Sequence, residues 1–169
     1  QTNVPNRATA EDEEKRQFMF DSLVAGTSLA ESLLEQVRDS NLPKAAHHVA
    51  VLIIGNIDDY GYLKASVEEV SAISNVPGEK ILEALKVIQT FDPPGVGARD
   101  LRECLMLQLE RESEQESLEY EIVRDYMEAL GKRRIPEIAR GTGATVEEVQ
   151  ESLAKIARLE PRPGRAFLA

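Results

Sequence analysis

The stretch VEEVSAISNVPGEKILEALKVIQTFDP, residues 67–93, returns 68 positions later without a gap as IPEIARGTGATVEEVQESLAKIARLEP, residues 135–161. Val67 falls on Ile135, Glu69 on Glu137, Val70 on Ile138 and Ile81 on Val149. Glu83 then falls on Glu151, Leu85 on Leu153 and Ile88 on Ile156. Phe91-Asp92-Pro93 closes the first copy and Leu159-Glu160-Pro161 the second. In each copy apolar positions recur at helical spacing on both sides of a short connector. The closing proline, which also disfavours helix at the residue before it, stops the second run. The repeat predicts, twice, a short helix, a turn and a longer helix, the layout of a helix-turn-helix.

Outward from the repeat the helical pattern continues. Ser66 and Glu69 have capping-box spacing, as do Ser28 and Glu31 ahead of Leu29, Leu33 and Val37, which share one helical face. Pro43 suits a first helical position, followed by the apolar stripe Ala46, Ala50, Ile53, Ile54 and Ile57. Asp58-Asp59-Tyr60-Gly61 reads as a turn with Gly61 at positive φ. FDPPGVGARD (91–100) cannot be helical, because Pro93, Pro94, Gly95 and Gly97 impose a sharply turning loop before the helix marked by Leu101, Leu105 and Leu109. Glu110–Glu121 is acid-rich and reads as a solvated connector or frayed helix end. Leu118, Ile122, Tyr126 and Leu130 carry one further helix, ended by Gly131. The acidic cluster Glu11–Glu14 opens a helix running to Phe18, Phe20 and Leu23. The expectation is an all-α fold of two packed helical subdomains containing two helix-turn-helix-like repeats. Residues 1–9 form a flexible lead-in, 10–112 the N-terminal subdomain and 113–169 the C-terminal subdomain, packed through apolar helix faces.

Composition narrows the function. With 42% hydrophobic residues, 5% aromatics and no Trp, the core must be built from Leu, Ile, Val and Ala, which favours helices over a β-sandwich. The net charge of −10 argues against a general polyanion binder, since counterion release needs clustered cations. Residues 1–130 carry 12 basic and 25 acidic side chains, whereas residues 131–169 carry 8 and 5. The single cysteine, Cys104, excludes an internal disulfide and a Cys-rich zinc site and reads as a core residue. No apolar run approaches membrane-spanning length and no signal-peptide pattern opens the chain, so the expected setting is the cytoplasm.

Catalytic patterns are weak. Adjacent His47 and His48 point about 100° apart on a helix and cannot form an i, i+4 metal pair. Asp58–Gly61 lacks the acid spacing of a calcium loop, and GVG at 95–97 follows no strand. No cofactor is expected. The second helix of each repeat, EKILEALKVIQT or VEEVQESLAKIAR, would turn carboxylates toward phosphates, which disfavours base reading by either. Lys132, Arg133, Arg134, Arg140, Arg158, Arg162 and Arg165 make up most of the basic tail. An ordinary mixed-charge surface accounts for them as well as a contact patch for an acidic protein or a nucleic acid.

Three phrases go further: IIGNIDDYGYL (53–63), IQTFDPPGVGARDLRECLMLQL (88–109) and LEPRPGR (159–165). In order and spacing they closely resemble the core-binding region of sigma-54 transcription initiation factors, a likeness covering most of residues 20–168. The resemblance implies a non-catalytic specificity subunit fragment that binds core RNA polymerase and helps direct it to promoters in activator-dependent initiation. Such factors carry a Gln- and Leu-rich activator-responsive segment, an acidic linker, the core-binding domain and a promoter-reading helix-turn-helix. Glu11–Glu14 matches the end of such a linker, and this chain is expected to be the middle of a longer factor. Promoter DNA and the ATP-driven activator would then be engaged only by parts absent here, with no membrane involved. Within the loop, Asp92, Pro93, Pro94, Gly95, Gly97 and Arg99 are expected to set the angle between helices. The family motif assigns no individual contacts, so the seven basic residues named above are polymerase-contact candidates on charge alone. A tandem helix-turn-helix DNA-binding module and a helical protein scaffold remain the alternatives.

Overall fold

A computed structural model describes residues 10–16 and 27–168. Among the described residues it is all-α, with no β-strand. Helix α1 is described over residues 10–16 and is exposed. The rest of the helix expected beyond it, including Phe18, Phe20 and Leu23, lies outside the described residues, as does the lead-in 1–9. Then follow α2 (Leu29–Asp39), a 3-10 turn (Lys44–Ala46), α3 (His47–Gly55), α4 (Val67–Ser74) and α5 (Gly78–Ile88). After the 91–100 loop come α6 (Leu101–Arg111), α7 (Leu118–Asp125), α8 (Met127–Gly131), α9 (Ile135–Thr142), α10 (Val146–Ile156) and a second 3-10 turn (Pro163–Phe167).

Local chemistry explains most helix starts and corrects two. Ser66 and Glu69 form a full capping box, each satisfying the other's backbone N–H. At α2 only half of one forms: Ser28 accepts from the Glu31 N–H, while the Glu31 carboxylate takes the Ser28 hydroxyl at 3.3 Å instead of a backbone donor. Pro43 sits just before a 3-10 turn instead of opening α3, whose first residue is His47.

The repeat's element boundaries coincide under the shift of 68. Val67–Ser74 matches Ile135–Thr142, Gly78–Ile88 matches Val146–Ile156, and the residue ending the first helix is left-handed in both, Asn75 at φ 59 and Gly143 at φ 79. Val70 and Ile138, and likewise Ile81 and Val149, are fully buried. Matching lengths do not make a helix-turn-helix, which is defined by how its two helices cross. The end signals differ too: the first pair carries its capping box on the short helix, the second on the long one at Thr145 and Glu148.

Two apolar clusters hold the chain. One is built from α2–α5 with Phe91 and Val96, around Leu33, Ile53, Ile81, Leu85 and Ile88. Each such side chain, removed from water, contributes about 1.5–3 kcal/mol before the cost of ordering it. The other gathers Leu105 and Leu109 of α6 with Ile122, Val123, Ile138, Val149 and Ile156. Helix α6 thus packs with the later helices. The first cluster runs as far as Val96 and the second begins at Leu105.

Glu119 and Tyr120, expected in a solvated connector or frayed helix end, lie within α7 and are buried. The Glu119 carboxylate accepts from the Ser152 hydroxyl at 2.8 Å with Lys155 Nζ at 3.7 Å. The single helix expected over 118–130 is two. Tyr126 breaks it at φ −127, and its ring lies so close over Gly141 of α9 that any side chain there would overlap it.

Burial alone would push the Glu119 carboxyl up, but the Ser152 hydrogen bond and the Lys155 charge outweigh it and hold it below the ordinary value. A lowered folded-state pKa gives stability that is complete above the unfolded value and lost as pH falls through the folded one. Glu119→Gln should therefore flatten the acid limb of a stability-versus-pH curve measured by urea unfolding. Glu119→Ala, which strands the buried Ser152 hydroxyl, should cost about 1–3 kcal/mol at neutral pH. An unchanged acid limb in Glu119→Gln would remove the carboxylate from the account.

Candidate functional site

The phrases at 53–63, 91–100 and 159–165 meet in space, between the two apolar clusters. Asp58 builds the first turn: its carboxylate accepts from the N–H groups of Tyr60 and Tyr62 at 2.9 and 3.0 Å, and the Gly61 N–H returns to the Asp58 carbonyl. Gly61 sits at φ +98 as expected, and the chain's last segment rests on it. A Cβ there would lie 2.9 Å from Pro163 Cγ and 3.1 Å from the Gly164 nitrogen. The Gly164 N–H donates to the Tyr60 carbonyl at 2.9 Å, and Gly164 passes so close to the Asp59 carbonyl that no side chain fits. The Tyr62 hydroxyl donates to the Pro161 carbonyl at 2.6 Å. Burial, with the neighbouring Cys104 thiol, pushes this phenol well above its usual range, so it stays a donor at any working pH. Arg162 lies over the Tyr60 ring, 4.7 Å from its centroid.

The 91–100 loop forms the other wall. Gly97 N–H donates to the Gly61 carbonyl at 2.8 Å, and Leu63 N–H to Ala98 O at 2.9 Å. Gly95 and Gly97 have φ +93 and +81, and a Cβ on Gly95 would sit 2.8 Å from Cys104 Sγ. Pro94 is exposed and Pro93 half-buried. Arg99 ties the loop to the first turn of α6, its backbone N–H and guanidinium giving three hydrogen bonds of 2.7–2.9 Å to the Glu103 carboxylate. Arg111 reaches back to the Asp92 carboxylate at 2.9 Å and to the Thr90 and Phe91 carbonyls at 2.8 Å.

Two glutamines complete the junction. Gln36 of α2 pairs with the backbone of Asp92, accepting from its N–H at 2.8 Å and donating to its carbonyl at 2.9 Å. Gln108 of α6 does the same to Glu160, at 2.8 and 2.7 Å. Asp92 and Glu160 are equivalent under the 68-residue shift, each the acid before the closing proline. Sequence reasoning missed both amides, together with Tyr62 and Gly164. A signal existed: Gln36 lies between Leu33 and Val37, and Gln108 between Leu105 and Leu109, so each interrupts an apolar stripe that must be buried.

The seven basic candidates are spread over several elements. Lys132 pairs with Glu128 at 2.9 Å and Arg134 with Glu137 at 3.7 Å, while Arg165 faces Glu160 at 3.9 Å and Arg162 belongs to the junction. Arg133, Arg140 and Arg158 are exposed and have no ion pair among the described residues. Arg133 is also left-handed, at φ 53. Among the described residues no group of His, Cys, Asp or Glu is placed to hold a metal ion. Burial raises the Cys104 thiol, opposite to what a nucleophile requires. The junction's chemistry is that of holding and presenting surfaces.

Residues 19–169, which include all three phrases, match the family described as Sigma-54 factor, core binding domain. The chain belongs to this family. Similar relatives include an RNA polymerase sigma-54 factor of Acidithiobacillus ferridurans, 38% identical over 81% of this chain and 30% of the relative. Another, from Sinorhizobium fredii, is 34% identical over 89% of this chain and 29% of the relative. One from Bacillus subtilis is 29% identical over 83% and 32%. The sigma-54 core-binding region described here thus spans about a third of the length of its curated relatives.

Two contrasts test the junction. Gly61→Ala should destabilise clearly more than Gly143→Ala. Both positions are left-handed, but a Cβ at 143 meets nothing within 4 Å, while one at 61 displaces Pro163 and Gly164. The strain common to both is about 1–2 kcal/mol, and the excess in thermal or urea unfolding reports the docking of the last segment. Equal losses would mean that segment contributes little. Gln108→Ala should cost about 1–3 kcal/mol, because it leaves the Glu160 N–H without a partner and its carbonyl with only the Cys104 thiol at 3.6 Å, and the half-buried Gln36→Ala less, since water can replace it.

Proposed function

We propose that this chain binds core RNA polymerase as the core-binding part of a sigma-54-type initiation factor, contributing interface and no catalysis. The single observation that carries this is the family match over residues 19–169. The fold supports it: a rigid junction locks two helical bodies together, as a large specific interface requires. We further propose that the two pairs, α4–α5 and α9–α10, are copies of one unit. Their equal element lengths and the matching glutamine clasps on Asp92 and Glu160 support this. The working division into two bodies falls at the 91–100 loop. Promoter DNA and an ATP-driven activator are met by other parts of the full-length factor. Action in the cytoplasm follows from the partner; among the described residues no helix is long and apolar enough to cross a membrane.

Contacts on the later helices centre on Arg133, Arg134 and Arg140, with Lys132, Arg158, Arg162 and Arg165 as a charged surround. Exposed cations at a rim act mainly on the rate of encounter and on its salt dependence. The DNA-module reading finds less support, because both long helices keep carboxylates on their exposed faces, Glu79 and Glu83 in α5 and Glu147, Glu148 and Glu151 in α10.

A pull-down of this chain with purified core polymerase tests the reading directly, and absence of binding at micromolar concentration would defeat it. Arg133→Ala, Arg134→Ala and Arg140→Ala combined should leave helical content and melting temperature nearly unchanged. Association should slow about tenfold and become less salt-sensitive. Loss of the fold would make these arginines structural; unchanged kinetics would place the contact elsewhere.

A further inference from the structure

The two bodies leave a cleft where α5 faces α6. Every well-packed helix pair lies within one body, and α5 with α6 is not among them. Between them opens a groove of about 800 Å³, walled by the end of α5, the 99–100 stretch and one face of α6. Clefts between packed bodies are the usual place for a ligand. Leu107 and the part of Met106 not packed on the second cluster supply its apolar surface. Leu107 is half-buried yet belongs to neither apolar cluster.

The cleft lining holds four cations, Lys86, Arg99, Arg102 and Arg111, against three carboxylates. Its carboxylates are already engaged: Asp100 accepts the Glu103 N–H at the start of α6, Glu103 holds Arg99, and Glu110 accepts from the Tyr120 hydroxyl. Two of its cations make no ion pair among the described residues, although Arg102 lies near enough to Asp125 to act on its carboxyl. Lys86 makes no ion pair there, and Arg102 donates only to the Arg124 carbonyl and Met106 Sδ. Both are exposed. An apolar surface flanked by two unspent cations complements a peptide that carries aliphatic or aromatic side chains next to Asp or Glu. A nucleic-acid backbone would use the cations but leave Met106 and Leu107 unmatched.

We propose that the α5–α6 cleft seats an acidic, amphipathic segment of core RNA polymerase, Leu107 and Met106 taking its apolar side chains and Lys86 and Arg102 its carboxylates. This rests on the polymerase-binding reading above and names the place and the chemistry of the contact. Because the segment touches both bodies, the junction that fixes their angle also fixes the width of the cleft.

The test uses the full chain and purified core polymerase. Lys86→Glu combined with Arg102→Glu should weaken binding by about tenfold or more, as should Leu107→Asp, with helical content and melting temperature retained because neither change touches a core. A photo-crosslinker at position 107 should capture a polymerase peptide rich in Asp or Glu and apolar residues; one at the exposed Ile73 of α4 should not. If the unaltered chain binds polymerase and all cleft variants bind equally well, the cleft proposal is overturned while the functional reading stands. If the unaltered chain does not bind, the functional reading falls and the proposal with it. If a DNA duplex binds the unaltered chain and displaces the crosslink at 107, the cleft is a nucleic-acid site and the proposal is wrong. Should Leu107→Asp prove unfolded, the charge reversal and the crosslink decide alone.

Discussion

The amide of Gln108 grips the peptide of Glu160 from both sides, deep enough that water cannot substitute for it. The path of the last segment across the two helical bodies follows from where this grip holds the chain, beside the separate ties that Arg111 makes to Asp92, Thr90 and Phe91. It delivers Pro161 to the Tyr62 hydroxyl, Pro163 and Gly164 to the turn at Gly61, and Phe167 to the first apolar cluster, while Leu159 stays on the second. A buried polar group is stable only if satisfied, and this one is satisfied only in one register of the last segment. Hydrogen-bonded backbone and close glycine contacts join the bodies, together with the apolar contact of Phe167. Hydrogen bonds are directional and apolar contact is not, so a joint of this kind specifies an angle.

Much of the fold was legible in the residues. The all-α class, most helix positions, the loop at 91–100 and the turn at Gly61 follow from periodicity, prolines and glycines, whose effects are local. Apart from the two helix starts at Ser28 and Pro43, what the residues did not show is tertiary. Glu119 looks solvent-bound until Ser152 and Lys155 are placed opposite it, 33 residues away in the case of the serine. The Tyr126 ring, at the break, packs against a glycine in another helix. The assignment of α6 to the second body depends on which cluster receives Leu105 and Leu109, and a leucine stripe does not name its partner.

The site was legible in a different way. Three phrases stood out by resemblance, and nothing in any one of them shows that they touch; their meeting appears only when the chain is folded. The basic tail, read from charge alone, turns out heterogeneous: Arg162 is stacked on Tyr60, several cations face their own carboxylates, and Arg133, Arg140 and Arg158 stand clear. Charge counting finds a surplus but not its arrangement. The cleft left no sequence signal either, since Leu107 reads like any other leucine of an amphipathic helix.

The exchanged capping boxes carry one more consequence. Helices of matched length begin in one pair with Ser66 and Glu69 on the short member, and in the other with Thr145 and Glu148 on the long one. Boundaries that agree while their local signals trade places are held by the buried positions and the left-handed residue between the helices. Caps are then interchangeable parts. Losing or moving a cap costs about 1 kcal/mol, whereas truncating a fully buried Val70 or Ile81 leaves a cavity and costs about 2–5 kcal/mol, so the interior constrains these helices more tightly than their ends do.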